Sequence, residues 1–283
     1  MTAALRRTLE GALGVSVRAL RQVGGGDIND AYCATLDDGK RVFVKTRVAA
    51  PSGMYEREAE GLSWLAEAKS LQVPEVLAVS DALLVLPWIE RGPRAADFDE
   101  QLGRGLCLLH RAGAPSFGFA DDNFIANLPQ ANGELDSWSE FYRVRRLEPM
   151  VARALASGEL ESSDAMGFDR LYVRLDELVG PRERAARLHG DLWSGNVYGN
   201  ASGAPVLIDP AVYGGHREID LAMLQLFGAP TPRFFAAYDD VMPRASGHED
   251  RVALYQLYPL LVHVNLFGGA YLSQLRSALR KYV

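Results

Sequence analysis

The segment from His189 to Asn196 constrains this chain more than any other. It reads His-Gly-Asp-Leu-Trp-Ser-Gly-Asn, and Asp209 follows thirteen residues after Asn196, at the end of the apolar run 206–208. A carboxylate, an amide and a second carboxylate in that order suit phosphoryl transfer, which needs an aligned hydroxyl and divalent cations to absorb phosphate charge. We therefore predict that Asp191 is the catalytic base and that Asn196 and Asp209 bind the metal.

The motif is short, and an ordinary loop could carry the same residues. In that interpretation Asp191 and Asn196 are turn residues, and Asp209 only ends a strand. A match of this length arises by chance in roughly one chain of several hundred. The spacing to Asp209 and the character of the preceding ninety residues favour the phosphoryl-transfer interpretation.

Upstream residues agree with this chemistry. Lys45 ends an apolar run, and Glu58 lies on the next predicted helix, where it could pair with Lys45 and hold it against the α- and β-phosphates of ATP. Gly24, Gly25 and Gly26 lie between two predicted strands and could offer backbone N–H groups to phosphates. Taken singly, each feature is common on protein surfaces. Their order upstream of Asp191 makes an ATP site the better interpretation.

The chain divides into a β-rich part and a helical part. In the first part we predict strands at 15–22, 31–36, 41–46, 75–79 and 83–89 and one helix at 55–68. In the second part we predict helices at 98–112, 138–156 and 169–178, short β runs at 196–198 and 205–208, and a buried C-terminal helix pair. These patterns predict an α+β fold in which a small antiparallel β lobe with one helix precedes a larger, mostly helical lobe.

Charge, cysteine content and hydropathy argue against nucleic-acid and membrane partners and against secretion. The net charge of -6 argues against a nucleic-acid partner, which would need a basic face. Cys33 and Cys107 match no metal-binding spacing and indicate reduced thiols. The N-terminus lacks the apolar segment of a secretory signal, and the uncharged stretch 254–275 is too polar to span a membrane. We expect a cytoplasmic protein without a membrane partner.

The residues around Asp191 resemble the signature of the fructosamine kinase family. Other segments are similar to that family in the same order: Phe43-Val44-Lys45, Glu58-Ala59-x-x-Leu62, Phe117-Gly118-Phe119, Trp138-x-x-Phe141-Tyr142, Asp209-Pro210-Ala211, Gly215-His216-Arg217-Glu218, Leu221-Ala222-Met223 and Tyr255-Gln256-Leu257. The resemblance covers nearly the whole chain. Trp193 and the run that ends at Glu218 distinguish it from the related aminoglycoside and choline kinases.

The resemblance implies a protein-kinase-like bilobal fold, with an ATP-binding lobe at 1–88 and a catalytic and substrate-binding lobe at 89–283. It implies ATP and Mg²⁺ as cofactors and phosphorylation of the sugar 3-hydroxyl of a ketosamine, a fructosamine or ribulosamine adduct. The 3-phosphate would then destabilise the adduct and release the amine. Backbone groups of Pro87, Trp88 and Ile89 would contact adenine, although this hinge lacks the acidic residue of the family pattern.

Four residues are candidates for substrate binding. Trp193 lies between the predicted base and the predicted metal ligand, so its indole could line the sugar pocket or pack beneath the loop. His216 and Glu218 could face the acceptor or brace the structure. His263 lies on an apolar helix, where a core histidine and a substrate contact are both reasonable interpretations.

Two more residues are expected to support the catalytic loop. Asp220, at a predicted helix start, should bind the loop backbone because aspartate favours such positions. His189 should bond to backbone and is not expected to act as a base. For His110 the sequence suggests no role.

Two other functions remain open on the sequence. An aminoglycoside- or choline-type kinase would share the same phosphoryl-transfer residues. A nucleotide-binding pseudokinase would normally lack Lys45, Asp191 or Asp209, and all three are present.

Overall fold

The computed structural model describes residues 2–24, 30–228 and 230–283. Its first part is a five-stranded antiparallel sheet with the strand order β1-β2-β3-β5-β4. The strands are β1 (Val17–Val23), β2 (Asp30–Leu36), β3 (Arg41–Thr46), β4 (Ala78–Ser80) and β5 (Leu83–Pro87). Helix α2 (Met54–Glu67) follows β3, so the predicted sheet and its inserted helix are confirmed.

A second helix in this lobe, α1 (Thr2–Leu13), was not predicted. Leu9 of α1 is fully buried in a cluster with Leu83 and Val85 of β5. The alternate residues Leu84 and Leu86 pack on the opposite face, in a cluster with α2. The sheet therefore lies between two helices, which explains why β5 reads as a continuous apolar run.

The second part of the chain is mostly helical, as predicted. Its helices are α3 (Phe98–Ala112), α4 (Trp138–Phe141), α5 (Glu148–Ala156), α6 (Ser162–Leu178), α7 (Glu218–Phe227), α8 (Pro232–Asp239), α9 (His248–Phe267) and α10 (Leu272–Leu279). A 3₁₀ turn, Gly268–Tyr271, joins the last two. Within the described ranges, no helix is both long and apolar enough to cross a membrane.

The predicted helix 138–156 is not continuous. A π-helical segment, Tyr142–Leu147, separates α4 from α5. Pro149 stands in the first turn of α5 and has no N–H to donate to the carbonyl of Arg145. The side chain of Arg146 donates to that carbonyl instead, at 3.0 Å. The regular helical pattern is therefore broken at a site where a buried side chain replaces a backbone donor.

Three antiparallel strand pairs position the functional residues in the helical lobe. The strands are β6 (Asn123–Ile125) with β7 (Leu128–Gln130), β8 (Ala186–Leu188) with β11 (Tyr213–Gly215), and β9 (Val197–Gly199) with β10 (Pro205–Leu207). The predicted catalytic motif, which contains Asp191, follows β8, and Asp209 follows β10. Strand β8 precedes the motif and β11 follows Asp209. Because β8 pairs with β11, these two strands lie side by side.

Candidate functional site

A cavity of about 590 Å³ lies between the sheet lobe and the helical lobe. Seven of the predicted site residues line it: Lys45, Glu58, Asp191, Trp193, Asn196, Asp209 and His263. Residues from both lobes thus meet at one cleft.

The catalytic loop is held by Asp220, as predicted. Its carboxylate accepts the backbone N–H groups of His189 at 2.8 Å and Gly190 at 3.0 Å. His189 Nε2 lies 3.0 Å from the carbonyl oxygen of Ile208, which can only accept, so Nε2 carries a proton. Its Nδ1 then accepts the N–H of Asp191 at 3.3 Å. Burial lowers the pKa of His189, which keeps it a neutral support of the loop.

His110 contributes to the same arrangement, although the sequence suggested no role for it. Its Nε2 lies 3.2 Å from the Asp220 carboxylate and its Nδ1 lies 2.8 Å from the Tyr238 hydroxyl. The three side chains are almost fully buried. His110 on α3 and Tyr238 on α8 are 110 and 18 residues from Asp220, so no local sequence signal connects the three.

Asp191 and Asn196 lie side by side on the cavity wall. The Asn196 amide nitrogen donates to the Asp191 carbonyl oxygen at 2.9 Å, to Asp191 Oδ2 at 3.2 Å and to the Asp209 carbonyl oxygen at 3.3 Å. This leaves the amide oxygen of Asn196 to bind a cation. Burial, together with the charge of Asp209, raises the pKa of Asp191 to about 7. A carboxyl with that pKa can exchange a proton near neutrality.

The backbone of Asp209 adopts the left-handed conformation, with φ of 52°. Residues other than glycine rarely adopt it, although aspartate and asparagine tolerate it better than most. The conformation turns the chain sharply after β10, and the carboxylate lines the cavity. Such local strain persists only where the surrounding structure holds it.

Lys45 on β3 pairs with Glu58 on α2 at 2.8 Å, and its ammonium group lies 3.2 Å from Asp209 Oδ1. Burial alone would lower the pKa of Lys45, but the carboxylates of Asp209 and Glu58 raise it overall. Lys45 therefore stays charged next to the cavity, where it can meet a phosphate.

Gly61 explains how closely α2 approaches the rest of the site. A Cβ atom at this position would lie 3.2 Å from Val212 Cγ2 and 3.6 Å from Pro210 Cγ. Helix α2, which carries Glu58, thus rests directly on the segment that follows Asp209.

Aromatic side chains also line the cavity. His263 stacks on Phe227 with ring centroids 4.3 Å apart and meets Tyr271 edge-on at 4.8 Å. Trp193 and Phe267 are 42% and 46% exposed, which is unusual for side chains of this size. No sequence motif contains Phe227, Phe267 or Tyr271, so these residues were not predicted. Phe227 ends α7, Phe267 ends α9, and Tyr271 lies in the 3₁₀ turn after α9, so only the fold brings Phe227 to the other two.

The indole of Trp193 folds back over Gly195. A Cβ atom at position 195 would lie 2.3 Å from two carbon atoms of the indole ring. The glycine in the motif therefore makes room for the ring that lines the cavity.

His216 and Glu218 lie outside the cavity, so the expectation that they face the acceptor is not supported. Both are more than 95% buried. The His216 ring stacks on Tyr255, and its Nδ1 accepts the backbone N–H of Glu218 at 3.3 Å. Glu218 accepts two hydrogen bonds from Arg251, at 2.7 and 2.8 Å. Both side chains brace the helical lobe.

The predicted adenine hinge does not line the cavity, and only Gly24 of the predicted glycine loop lies among the described residues. The N–H of Trp88 donates to the Arg41 carbonyl at 3.1 Å, so it extends the sheet. Pro87, Trp88 and Ile89 do not line the 590 Å³ cavity. Gly24 is exposed next to β1. Gly25 and Gly26 lie outside the described residues.

The described residues include no group of three or more histidine, cysteine, aspartate or glutamate side chains that could hold a metal. A cation at this site would therefore depend on Asn196 and Asp209 together with phosphate oxygens. Carboxylate and amide oxygens are suitable ligands for Mg²⁺, which commonly keeps such mixed coordination in kinases.

The sequence model of the fructosamine kinase family matches residues 1–283. The chain belongs to the fructosamine kinase family. It is accordingly a phosphotransferase that uses ATP and acts on a hydroxyl group.

Relatives of this fructosamine kinase family member span almost its whole length. It is 36% identical over 271 residues to a "probable ketoamine kinase" of Synechocystis sp., covering 94% of this chain and 90% of that protein. It is 33% identical over 277 residues to a chloroplastic protein-ribulosamine 3-kinase of Oryza sativa subsp. indica, covering 94% and 79%. A crystal structure assigned as a fructosamine-3-kinase from Thermobifida fusca has a TM-score of 0.93 at 38% identity, covering 99% and 98%. The protein-kinase-like bilobal fold is thus confirmed.

Proposed function

We propose that this kinase transfers the γ-phosphate of ATP to the sugar 3-hydroxyl of a ketosamine, and that Asp191 is the catalytic base. The observation that carries the proposal is the meeting of Asp191, Asn196 and Asp209 with the Lys45–Glu58 pair at one cavity. The names of the relatives, ketoamine kinase and ribulosamine 3-kinase, support a ketosamine acceptor.

Each residue would have a separate role in phosphoryl transfer. Asp191 would accept the proton of the hydroxyl and keep it aligned for attack. Asn196 and Asp209 would hold Mg²⁺, which neutralises phosphate charge when bound. Lys45, oriented by Glu58, would contact the α- and β-phosphates. We further propose that residues 1–88 bind the nucleotide, with Gly24, Gly25 and Gly26 near its phosphates and the hinge at Pro87, Trp88 and Ile89 beside adenine.

The aromatic side chains that line the cavity would bind the acceptor. The exposed indole of Trp193 and the stacked ring of His263 offer flat faces to a sugar. The secondary ammonium group of a ketosamine would gain about 0.5 to 2 kcal/mol from cation–π attraction. Residues 89–283 would thus supply both the base and the substrate-binding surface.

The product would be chemically unstable. Phosphorylation at the 3-hydroxyl places a leaving group on the carbon next to the ketone. Enolisation and loss of inorganic phosphate would leave an imine between the sugar and the amine, and water would hydrolyse this imine to a dicarbonyl sugar and the free amine. We also propose a cytoplasmic location, with which the two buried, unpaired cysteines, Cys33 and Cys107, are consistent.

The test is an acceptor panel. The protein is incubated with ATP, Mg²⁺ and either fructosyl-lysine, ribulosyl-lysine, an aminoglycoside or choline, and ADP release and free lysine are followed. We expect ADP release with the ketosamines, followed by slow release of lysine, and ADP release that is slower by at least about 10²-fold in the Asp191→Asn variant. Turnover of an aminoglycoside or choline in preference to both ketosamines would reject the proposed substrate. ATP binding without turnover of any acceptor would favour a pseudokinase.

A further inference from the structure

Arg146 is fully buried, and no carboxylate lies within ion-pair distance of it among the described residues. Its guanidinium carbon lies 3.8 Å from the ring centroid of Tyr213, 4.6 Å from that of Phe141 and 5.5 Å from that of Tyr258. These rings and nearby carbonyls take the place of a counterion. Burying a charge is costly, so a buried arginine without an acidic partner requires an explanation.

The guanidinium donates to three oxygen atoms. One nitrogen, Nη1, donates to the Ala131 carbonyl at 2.6 Å and to the Arg145 carbonyl at 3.0 Å. The other, Nη2, donates to Asn132 Oδ1 at 2.6 Å. Since arginine has no acceptor, the oxygen of the Asn132 amide must face it.

That constraint passes along a chain of amides. With its oxygen facing Arg146, Asn132 directs Nδ2 to Asn123 Oδ1, at 2.8 Å. Asn123 in turn directs Nδ2 to the carbonyl of Val212, at 2.8 Å. This series of hydrogen bonds begins at the Arg146 guanidinium, which can only donate, and ends at the Val212 carbonyl, which can only accept. The orientation of both amides is therefore determined by its two ends.

A second branch reaches the neighbouring carbonyl. The Tyr258 hydroxyl donates to Gln130 Oε1 at 2.7 Å, and Gln130 Nε2 donates to the Ala211 carbonyl at 3.1 Å and to Asn123 Oδ1 at 2.7 Å. Gln130 and Asn123 face each other across the β6–β7 hairpin. The two branches therefore join at Asn123, and linked hydrogen bonds of this kind strengthen one another.

Both carbonyls belong to the segment that carries the proposed metal ligand. Ala211 and Val212 follow Asp209 and Pro210 directly, and the Ala211 N–H donates to the His189 carbonyl at 2.9 Å. The left-handed conformation of Asp209 must be held by its surroundings. The amide chain supplies that support from the side opposite the catalytic loop.

We propose that Arg146 and Asn132 are positioning residues for phosphoryl transfer: the guanidinium orients the amide chain, which holds the Ala211 and Val212 carbonyls and so fixes the backbone from which Asp209 enters the cavity. The functional part of this inference rests on the proposed role of Asp209. The structural part, the support of residues 209–213, can be tested without substrate.

The discriminating variant is Asn132→Asp. The new carboxylate still accepts from Arg146 and nearly preserves shape, but it can donate neither to Asn123 Oδ1 nor to the Asp121 carbonyl, to which the Asn132 amide also donates at 3.2 Å. Packing around Arg146 is thus retained, while the hydrogen bond from residue 132 to Asn123 is lost. Gln256→Glu is the matched control, because it makes the same amide-to-carboxylate change at a 3.2 Å hydrogen bond to the Ala222 carbonyl, outside the chain.

The primary readout is amide hydrogen exchange of a peptide covering residues 205–215, without nucleotide or metal. We expect Asn132→Asp to accelerate exchange in this peptide and to lower kcat for fructosyl-lysine roughly 3- to 30-fold, the usual effect of interrupting a buried network. Gln256→Glu should change neither. Arg146→Lys, which keeps the charge but loses the planar fork, should also accelerate exchange there.

Two results would overturn the inference. One is wild-type exchange at 205–215 together with wild-type kcat in Asn132→Asp. The other is a uniform rise in exchange over the whole chain, which would indicate general destabilisation. If the wild-type enzyme phosphorylates no ketosamine, the proposed function fails, but the exchange result still decides whether the chain supports residues 209–213.

Discussion

The ammonium group of Lys45 lies 2.8 Å from the carboxylate of Glu58, in a buried pair that joins β3 to α2. Asp209 approaches the same ammonium group to 3.2 Å. In the absence of nucleotide, Lys45 thus contacts two carboxylates. An incoming phosphate could replace Asp209 as a partner of Lys45 and leave that carboxylate to a cation, while Glu58 keeps the lysine in place.

The first prediction concerns this pair. Lys45→Ala should lower kcat/KM for ATP roughly 10²-fold, as expected for loss of one charged donor at the phosphates. Glu58→Ala should cause a smaller loss through the same contact, and the double variant should be little worse than Lys45→Ala alone. Steady-state kinetics of the four proteins form the test. Losses that multiply would show that the two residues act separately.

The second prediction concerns Asp209. Asparagine tolerates the left-handed conformation that this position requires, so Asp209→Asn should fold normally while it removes the charge. Metal-dependent turnover should fall at least about 10²-fold, because a cation here would lose its main charged ligand. Thermal unfolding checks the fold, and ADP release is measured over a range of Mg²⁺ concentrations. Activity restored simply by more Mg²⁺ would make Asp209 peripheral.

The third prediction concerns the base. Asp191→Asn should retain ATP binding but lower kcat roughly 10²- to 10⁴-fold, the usual contribution of a positioned base. Nucleotide affinity can be measured by calorimetry and kcat by ADP release. Near wild-type turnover would exclude Asp191 from the mechanism.

The fourth prediction follows from the pKa of Asp191, which burial and Asp209 raise from its ordinary value of 3.8 to about 7. Between these values the folded protein binds the proton and the unfolded chain has released it, so stability falls as the pH rises from about 4 to 7. Without nucleotide and metal, wild type should lose thermal stability relative to Asp191→Asn over that range. Melting curves that stay parallel from pH 4 to 8 would contradict the shift.

The fifth prediction concerns Trp193 and Gly195. A methyl group at position 195 must displace the indole, which can move because it is 42% exposed. Gly195→Ala should therefore raise KM for a ketosamine and alter tryptophan fluorescence, with little effect on slow ATP hydrolysis by water. In the Trp193→Ala background the same substitution should cause no further loss. A further loss of ketosamine turnover in that background would show that Gly195 acts otherwise.

Local patterns were enough to predict the sheet, the bounds of α3 and a set of polar residues that the fold brings together at one cavity. Local patterns did not predict contacts between residues that are far apart in the sequence. His110 supports the catalytic loop through Asp220, 110 residues away, and Gln130 contacts the carbonyl of Ala211, 81 residues away. Neither residue has a local pattern that differs from an ordinary core position. The break at Tyr142–Leu147 lies beside Pro149, which is a local signal, but the hydrogen bond from the buried Arg146 side chain to the Arg145 carbonyl depends on the folded chain.

The contact at Gly61 has a consequence for any movement of α2. Only a hydrogen atom separates the backbone of α2 from Val212 and Pro210 at this point. A movement of α2 that takes Glu58 away from Lys45 would therefore also have to displace Pro210 and Val212, which follow Asp209. Separation of Glu58 from Lys45 would thus disturb the backbone beside Asp209 at the same time.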